Sequence, residues 1–348
     1  DLIVDGIIGG VGSVVVFLPN ILILYLFISL MEDSGYMARA AFIMDKLMHK
    51  IGLHGKSFIP LVMGFGCNVP AIMATRTIES RSSRLITILI NPFMSCSARL
   101  PVFILLAGTF FPEHAGVALF CIYIFGGVMA VFTARVLRRF MFGADETPFV
   151  MELPPYRIPT LQATLRHMWE RSEQYLRKIA GLILVAAVVI WFLSYYPRPV
   201  HDVQPMMTEQ EAMMAHSENS YLGRIGKVCE PVMKPLGLDW RASVALVSGA
   251  AAKEIVVSTL GVLYSVEDAE ENGASLSQHL IRSGNYSQAS ALAMMIFVLL
   301  YFPCIATIAA IAHEAGGWRW ALFSVVYNTL LAWVVAWGAY QIGVLFGM

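Results

Sequence analysis

Charged side chains are scarce in this chain. Only 14% of its 348 residues are Asp, Glu, Lys or Arg, and 57% are hydrophobic, whereas soluble domains average about 25% charged residues. The mean hydropathy is +0.67. The formal net charge is zero, so composition gives no reason to expect a nucleic-acid partner. These values exclude an ordinary soluble domain and predict an all-α, polytopic membrane protein.

A disulfide framework and a signal peptide are also lacking. The five cysteines form an odd count without close pairing: Cys67, Cys96, Cys121, Cys229 and Cys304. The chain begins at Asp1 with neither an initiating methionine nor a signal-peptide pattern. We therefore expect free thiols in a segment of a longer polypeptide.

Apolar stretches of about 20 residues, enough to cross a bilayer, recur along the chain. Uninterrupted spans are predicted at Val11–Met31 (with a kink at Pro19), Ala115–Val136, Ile179–Tyr196 and Trp320–Phe346. Glycine, proline or charge interrupts four others: Phe58–Thr75, Leu85–Phe111 (at Asn91-Pro92 and Pro101), Ala242–Tyr264 and Ser290–Ala312. The remaining segments are an amphipathic stretch at Tyr36–Lys50, a polar linker at Arg138–Lys178 with a surface helix from Leu161, and loops at Pro197–Arg241 and Val266–Ser287.

The distribution of Lys and Arg indicates how the broken segments enter the membrane. Basic groups flank Phe58–Thr75 on both sides, so this segment re-enters on the cytoplasmic face, and Ala242–Tyr264 re-enters from the opposite face. Two such segments suggest the inverted repeats of secondary transporters. We expect a first repeat with its preceding helix at 1–139, a cytoplasmic linker at 140–178 and a second repeat with periplasmic loops at 179–348.

Three cysteines coincide with the interruptions of the apolar segments. Cys67 lies between Gly66 and Asn68, Cys96 between Ser95 and Ser97, and Cys304 after Pro303. Non-helical backbone at membrane depth is tolerated only where it faces protein or a cavity. Thiols mixed with carbonyl and carboxylate oxygens suit Fe²⁺ and other first-row dications. We predict a metal pathway lined by six residues: Cys67, Cys96, Cys304, Asn68, Ser95 and Ser97.

Charged residues in apolar segments are the second kind of candidate. Intramembrane charges usually mark a pathway, and we expect Glu254 to face it while Lys253 holds a carbonyl or carboxylate of the other repeat. The alternative is a Lys253–Glu254 pair that only satisfies the break. Arg99 is expected to pair with a carboxylate and lock the fold. Glu32 and Asp33 lie at a helix end, where a solvated interface explains them, with a gating role as the alternative.

Gly55-Lys56-Ser57 has the ending of a phosphate-binding loop. The full pattern requires a glycine where this chain has Lys50, and no buried strand precedes it. We interpret the tripeptide as a membrane-entry turn. No catalytic residue is predicted, and the chain itself is not expected to be an enzyme.

An ordered set of motifs resembles the membrane domain of the bacterial ferrous iron transporter family FeoB. The segments that carry the resemblance are Glu32–Phe42, Gly55–Phe58, Gly64–Pro70, Pro92–Leu100, Thr147–Pro154, Ala252–Glu254 and Pro303–Ala306. The resemblance implies two gate-type repeats and Fe²⁺ uptake by a multi-pass protein of the bacterial inner membrane. It also implies that Cys67, Cys96 and Cys304 line the iron path.

The partners follow from the same resemblance. They are Fe²⁺, membrane lipid, a GTP-binding domain and helical coupling domain upstream of Asp1, small cytoplasmic accessory proteins, and a homo-oligomeric partner. GTP would act only through that upstream domain. Two other classes remain open from the residues alone: a nucleoside or other small-solute transporter with gate-type repeats, and a membrane receptor or scaffold with structural cysteines.

Overall fold

The computed structural model describes residues 9–141, 156, 159–197, 218–264, 273–282, 284 and 286–347. Helix is the regular structure of these residues, and none of them forms a β-strand. Four of their helical stretches are long and apolar enough to cross a membrane: Arg81–Phe110, Pro112–Phe140, Gln288–Glu314 and Trp318–Leu345. A bent pair, Ile21–Asp33 with Tyr36–Ile51, gives a fifth candidate. The expected all-α polytopic fold is confirmed.

The described residues of the first half form seven α-helices. They are α1 (Gly9–Asp33), α2 (Tyr36–Ile51), α3 (Phe58–Gly64), α4 (Asn68–Ala74), α5 (Arg81–Ile90), α6 (Leu100–Phe110) and α7 (Ala115–Phe140). Helix α1 continues through Pro19. Helix α2 leaves it at an angle of 78°, and Gly35 makes this turn in the left-handed region at φ 76°, where a glycine has no steric penalty.

The described part of the second half repeats this order with one additional helix. Its members are α8 (Leu161–Tyr195), α9 (Tyr221–Met233), α10 (Trp240–Ser248), α11 (Ile255–Leu263), α12 (Gly273–Arg282), α13 (Gln288–Leu300), α14 (Ile305–Glu314) and α15 (Trp318–Leu345). Each half thus has a long helix, a shorter helix, two pairs of half-helices and a final long helix. Helix α12 is the addition and lies between the two pairs of the second half.

The four interrupted segments are pairs of half-helices, as predicted. The first pair is α3–α4 and the second is α5–α6; α10–α11 and α13–α14 are their counterparts. One detail differs, because Pro101 does not break its segment. It lies in the first turn of α6, where the missing N–H of proline costs no hydrogen bond. The interruption of the second pair therefore runs only from Asn91 to Arg99.

One predicted boundary and two predicted loops are wrong. The predicted surface helix at 161–178 and the span at 179–196 form one 35-residue helix, α8, because no proline separates them and Glu, Gln, Arg and Lys favour a helix. At about 1.5 Å per residue, α8 exceeds the roughly 30 Å hydrocarbon core. The predicted loop at 197–241 contains α9, and that at 266–287 contains α12. Residues 142–155, which include the 147–154 motif of the predicted linker, lie outside the described residues.

Helix α13 lies at the centre of the molecule. All of its residues from Ala289 to Leu300 except Leu292 are buried, and it packs against α15, α6 and α7. By contrast, α7 and α15 expose apolar side chains along their lengths, including Phe120, Ile124 and Val128 on α7. In a membrane this is the expected pattern, because exposed apolar side chains face lipid. The break that follows α13 therefore begins at the buried centre of the molecule.

Candidate functional site

The two breaks of each half are joined by a backbone hydrogen bond at equivalent positions. In the first half, the N–H of Ser97 donates to the carbonyl of Gly66 at 3.3 Å. In the second half, the N–H of Ile305 donates to the carbonyl of Ala250 at 2.9 Å. Ser97 and Ile305 each directly follow a cysteine, so this bond places Cys96 and Cys304 at matching positions. The two halves therefore share local geometry as well as element order.

Each of the three predicted cysteines stands at the start of a half-helix. Cys67 precedes α4 and Cys304 precedes α14, both with extended backbone. Cys96 precedes a single 3₁₀ turn, 97–99, that leads into α6. All five cysteines of the chain are free thiols. Cys67, Cys96 and Cys304 thus lie where one half-helix of a pair ends and the other begins.

The structure brings these three thiols near one another. Cys67 and Cys304 pack against the same small apolar cluster, whose buried members are Tyr25, Val69 and Ala306. The thiols of Cys96 and Cys304 both lie close enough to Cys67 to interact with it electrostatically, and Cys96 is similarly close to Cys304. Cys121 is different, because it is exposed on the surface of α7.

One hydroxyl group and one carboxylate group lie near the thiols. The Cys304 sulfur lies 3.2 Å from the hydroxyl oxygen of Thr307, a neighbour that the sequence reasoning did not select. Glu254 is partly buried in the break between α10 and α11 and lies within electrostatic reach of Cys67. Among the described residues, no group of three or more His, Cys, Asp or Glu side chains is arranged to hold a metal ion. The three thiols therefore lie near one another without forming a closed coordination site among the described residues.

The polar neighbours of the cysteines have structural partners. In the amide orientation that satisfies its surroundings, Asn68 donates to the carbonyls of Gly64 and Asn91, both at 3.2 Å. The Ser97 hydroxyl donates to the carbonyl of Gly66 at 3.2 Å. Ser95 is 1% exposed, and its hydroxyl has no hydrogen-bond partner among the described residues. Asn68 and Ser97 therefore connect the first two breaks, and Ser95 has the hydroxyl still available.

Two buried cations hold carbonyl oxygens that the breaks release. Arg99 is fully buried, and its Nη1 donates to the carbonyl of Pro92 at 2.9 Å. The expected carboxylate partner of Arg99 is thus replaced by backbone, since the break itself supplies an acceptor. Lys253 donates to the carbonyl of Phe302 at 2.8 Å. It holds a carbonyl as predicted, but this carbonyl belongs to its own half of the chain and not to the other repeat.

Glu32 and Asp33 are not brought to the cysteines by their contacts. Glu32 forms an ion pair with Arg171 at 2.8 Å. Asp33 lies 3.2 Å from the imidazole of His167. Both partners belong to α8, so the two carboxylates join the bend between α1 and α2 to the long helix of the second half. A pathway role for them would act through this contact.

The predicted membrane-entry turn, Gly55-Lys56-Ser57, forms one 3₁₀ turn that leads directly into α3. Lys56 pairs with Glu79 at 2.7 Å. The hydrogen bond from Lys56 lowers the pKa of the Glu79 carboxyl group. The lysine of this tripeptide is therefore engaged by a carboxylate on the protein surface.

An ionic cluster that the sequence reasoning missed joins the two halves. Glu314, at the end of α14, accepts from Nε of Arg76 at 2.8 Å and from Nη2 of Arg84 at 3.2 Å. The Glu314 side chain is 4% exposed, whereas Arg76 and Arg84 remain 46% and 31% exposed. We call these three residues the interhalf cluster. Only the three-dimensional fold reveals it, because 230 residues or more separate its partners.

Replacing Glu314 by glutamine is expected to lower the thermal stability of the protein. The change preserves shape but leaves two arginines facing a neutral amide, and we expect a loss of about 1–2 kcal/mol because the arginines are partly solvated. Screening should shrink the difference between 0.05 and 0.5 M salt. Glu79→Gln is the matched control, since Glu79 is 71% exposed and its pair with Lys56 should contribute little. Equal melting temperatures for Glu314→Gln and the parent would contradict this role.

The fold and the site together define a polytopic helical membrane protein with paired helix breaks at its centre. The chain belongs to the Gate family, described as nucleoside recognition, whose family model matches residues 14–110 and 176–318. A second family model, described as Ferrous iron transport protein B C terminus, matches residues 119–171.

Individual relatives agree with the second description. The chain is 56% identical, over 99% of its length and 44% of the relative, to the Fe(2+) transport protein A/Fe(2+) transporter FeoB fusion protein of Porphyromonas gingivalis. It is 48% identical to the Fe(2+) transporter FeoB of Methanocaldococcus jannaschii, over 97% of the chain and 48% of the relative. It is 45% identical to the Fe(2+) transporter FeoB of Campylobacter jejuni, over 95% of the chain and 54% of the relative.

The chain spans about half the length of the curated relatives it matches. No solved structure matches it. The resemblance to FeoB membrane domains that the motifs indicated is confirmed by these relatives.

Proposed function

We propose that this chain forms the Fe²⁺ pathway of a transporter in the bacterial inner membrane. The observation that carries the proposal is the convergence of Cys67, Cys96 and Cys304 at the junctions of half-helices, within electrostatic reach of one another. Thiolate is a suitable ligand for Fe²⁺ and for other borderline dications. Supporting evidence comes from the relatives, which are named Fe(2+) transporters.

The two halves are proposed to act as inverted repeats. The equivalent bonds Ser97–Gly66 and Ile305–Ala250 support a common local architecture, and the basic residues favour entry from opposite faces. In such transporters the substrate lies near the bilayer midplane, where the repeats meet. The proposed boundaries remain 1–139, 140–178 and 179–348, and the last of them falls within α8.

The remaining partners are proposals that follow from the same resemblance. A GTP-binding domain on the same polypeptide would control the pathway, and the chain itself would bind no nucleotide. A small accessory protein is supported by the Porphyromonas gingivalis relative, whose name describes a fusion with Fe(2+) transport protein A. Surrounding lipid and a homo-oligomeric assembly complete the set.

Metal uptake by the intact protein in sealed vesicles tests the proposed substrate. Fe²⁺ added outside should quench a metal-sensitive dye inside at a rate that saturates with Fe²⁺, and protein-free vesicles give the background. A nucleoside transporter is the second candidate, favoured by the description of the Gate family as nucleoside recognition. Saturable uptake of a labelled nucleoside, without Fe²⁺ entry, would replace the proposed function by this one.

Replacing Glu254 by glutamine is expected to slow Fe²⁺ entry while leaving protein abundance near normal. The change removes a negative charge close to Cys67 but keeps the size of the side chain. Lys253 retains the Phe302 carbonyl as a partner, so the variant does not leave the lysine without one. Uptake and membrane abundance should be measured on the same preparation. Loss of abundance together with uptake would instead indicate that Glu254 only stabilises the break.

A further inference from the structure

The break between α13 and α14 encloses the ammonium group of Lys253. This side chain comes from the neighbouring break, between α10 and α11, and only 3% of Lys253 is exposed. Its Nζ lies 2.8 Å from the carbonyl oxygen of Phe302. It also lies 3.2 Å from the centre of the Tyr301 ring and 5.0 Å from that of Phe302. A carbonyl and two aromatic rings therefore surround one small cationic group.

Each of these groups attracts a positive charge. The face of an aromatic ring attracts a cation, and more strongly where water is excluded; Tyr301 is fully buried. The Phe302 carbonyl follows the C-terminus of α13, the negative end of that helix dipole. The bond from Ile305 to Ala250 fixes the two breaks relative to each other. The Phe302 carbonyl and the two rings are thus held in place by the backbone of the breaks, and their arrangement does not depend on the lysine alone.

The first half of the chain shows the same feature built with a different residue. There the corresponding break releases the carbonyls of Pro92 and Met94, and Arg99 donates to them at 2.9 and 3.5 Å. Val69, three residues after Gly66, occupies the sequence position that Lys253 has after Ala250. Both breaks thus hold a positively charged side chain. Arg99 comes from the same break that it binds, whereas Lys253 comes from the neighbouring break. This indicates that the breaks themselves select a positive charge.

We propose that the break at Tyr301–Cys304 is a binding site for a small monovalent cation, and that the Lys253 ammonium is its tethered occupant. When the lysine side chain is truncated, the site takes a primary alkylammonium ion in its place. The Phe302 carbonyl is consequently unavailable to a passing dication, which is left with the thiol and hydroxyl of Cys304 and Thr307. The inference does not depend on iron being the cargo.

Chemical rescue of Lys253→Ala tests this site. The substitution removes the Cγ, Cδ and Cε methylene groups and the ammonium group of the lysine. The n-propylammonium ion supplies three carbons and an ammonium group in their place. In the intact purified protein, saturating n-propylammonium chloride should raise the melting temperature of Lys253→Ala by roughly 2 °C or more relative to choline chloride. Neither the parent nor Lys253→Met should respond, because their side chains fill the site. n-Propanol, of the same size but neutral, should be much less effective.

Three outcomes would overturn the proposal. They are no rescue of Lys253→Ala by n-propylammonium, an equal effect of n-propanol, and an equal effect on the parent protein. If Lys253→Ala yields no folded protein alone, it should be purified with n-propylammonium or with choline throughout. A monodisperse product only with n-propylammonium is the expected result, and equal recovery, or none, in both salts would contradict the site. Because the readout is stability, failure here is distinguishable from failure of the transport proposal.

Discussion

Alanine at Gly126 is expected to prevent normal folding, whereas alanine at the adjacent Gly127 should be harmless. A methyl group on Gly126 would lie 2.8 Å from the backbone oxygen of Phe93 and 3.3 Å from Leu299. Phe93 belongs to the break between α5 and α6, and Leu299 to the buried helix α13. Since the obstructing atom is backbone, relief requires α7 to move away from the break. We expect a loss of about 3 kcal/mol.

Gly127→Ala is the control, because it makes the same substitution at the adjacent residue, where the surroundings are open. A methyl group on Gly127 meets no atom within 4 Å, and alanine is a better helix former than glycine by about 0.5–1 kcal/mol. Gly127→Ala should therefore match or slightly exceed the parent in membrane abundance and melting temperature. Gly126→Ala should fall well below it. Similar stability of the two variants would mean that α7 does not pack on the break.

Arg99→Met is expected to reduce stability by about 3 kcal/mol. Methionine fills similar space but cannot donate, so the carbonyl of Pro92 loses its 2.9 Å partner in a fully buried place. Unsatisfied buried carbonyls are costly because no water replaces the bond. Lysine at the same position keeps one donor and should recover part of the loss. Melting temperature and membrane abundance of the three proteins measure the effect.

Arg135→Met provides the comparison for Arg99. Arg135 also donates to a backbone carbonyl, that of Lys50 at 3.3 Å, but it does so on the exposed surface. Water can satisfy that carbonyl when the guanidinium is removed, so stability should change by less than about 0.5 kcal/mol. If Arg99→Met is as stable as Arg135→Met, the buried arginine does not hold the break.

Features with a local cause could be predicted from the sequence. Gly64, Gly66 and the Asn91-Pro92 pair mark interruptions because glycine and proline destabilise the interior of a helix. The composition indicated the membrane fold, and the thiols at these interruptions were visible as neighbours of glycine, proline or serine. The order of motifs also sufficed to indicate the family.

Features that depend on distant partners could not be predicted. The interhalf cluster joins Arg76 to Glu314 across 238 positions, and no local pattern distinguishes these residues from other surface charges. The sequence predicted that Lys253 holds a carbonyl or carboxylate of the other repeat, but not that the acceptor is the Phe302 carbonyl of its own half, because a backbone carbonyl leaves no signature in sequence. The continuity of α8 was missed for another reason: a change from polar to apolar composition was interpreted as a boundary, although the helix continues through it.

The central claim is that Cys67, Cys96 and Cys304 form one path for a divalent metal. Its most direct test is the initial rate of Fe²⁺ entry into vesicles containing equal amounts of the intact protein or a single Cys→Ser variant. Serine keeps the size of the side chain but replaces sulfur by a harder oxygen, a poorer match for Fe²⁺. The account predicts that serine at each of the three positions slows entry severalfold at unchanged abundance, while Cys121→Ser transports at the parent rate. Parent rates in all three pathway variants would contradict it.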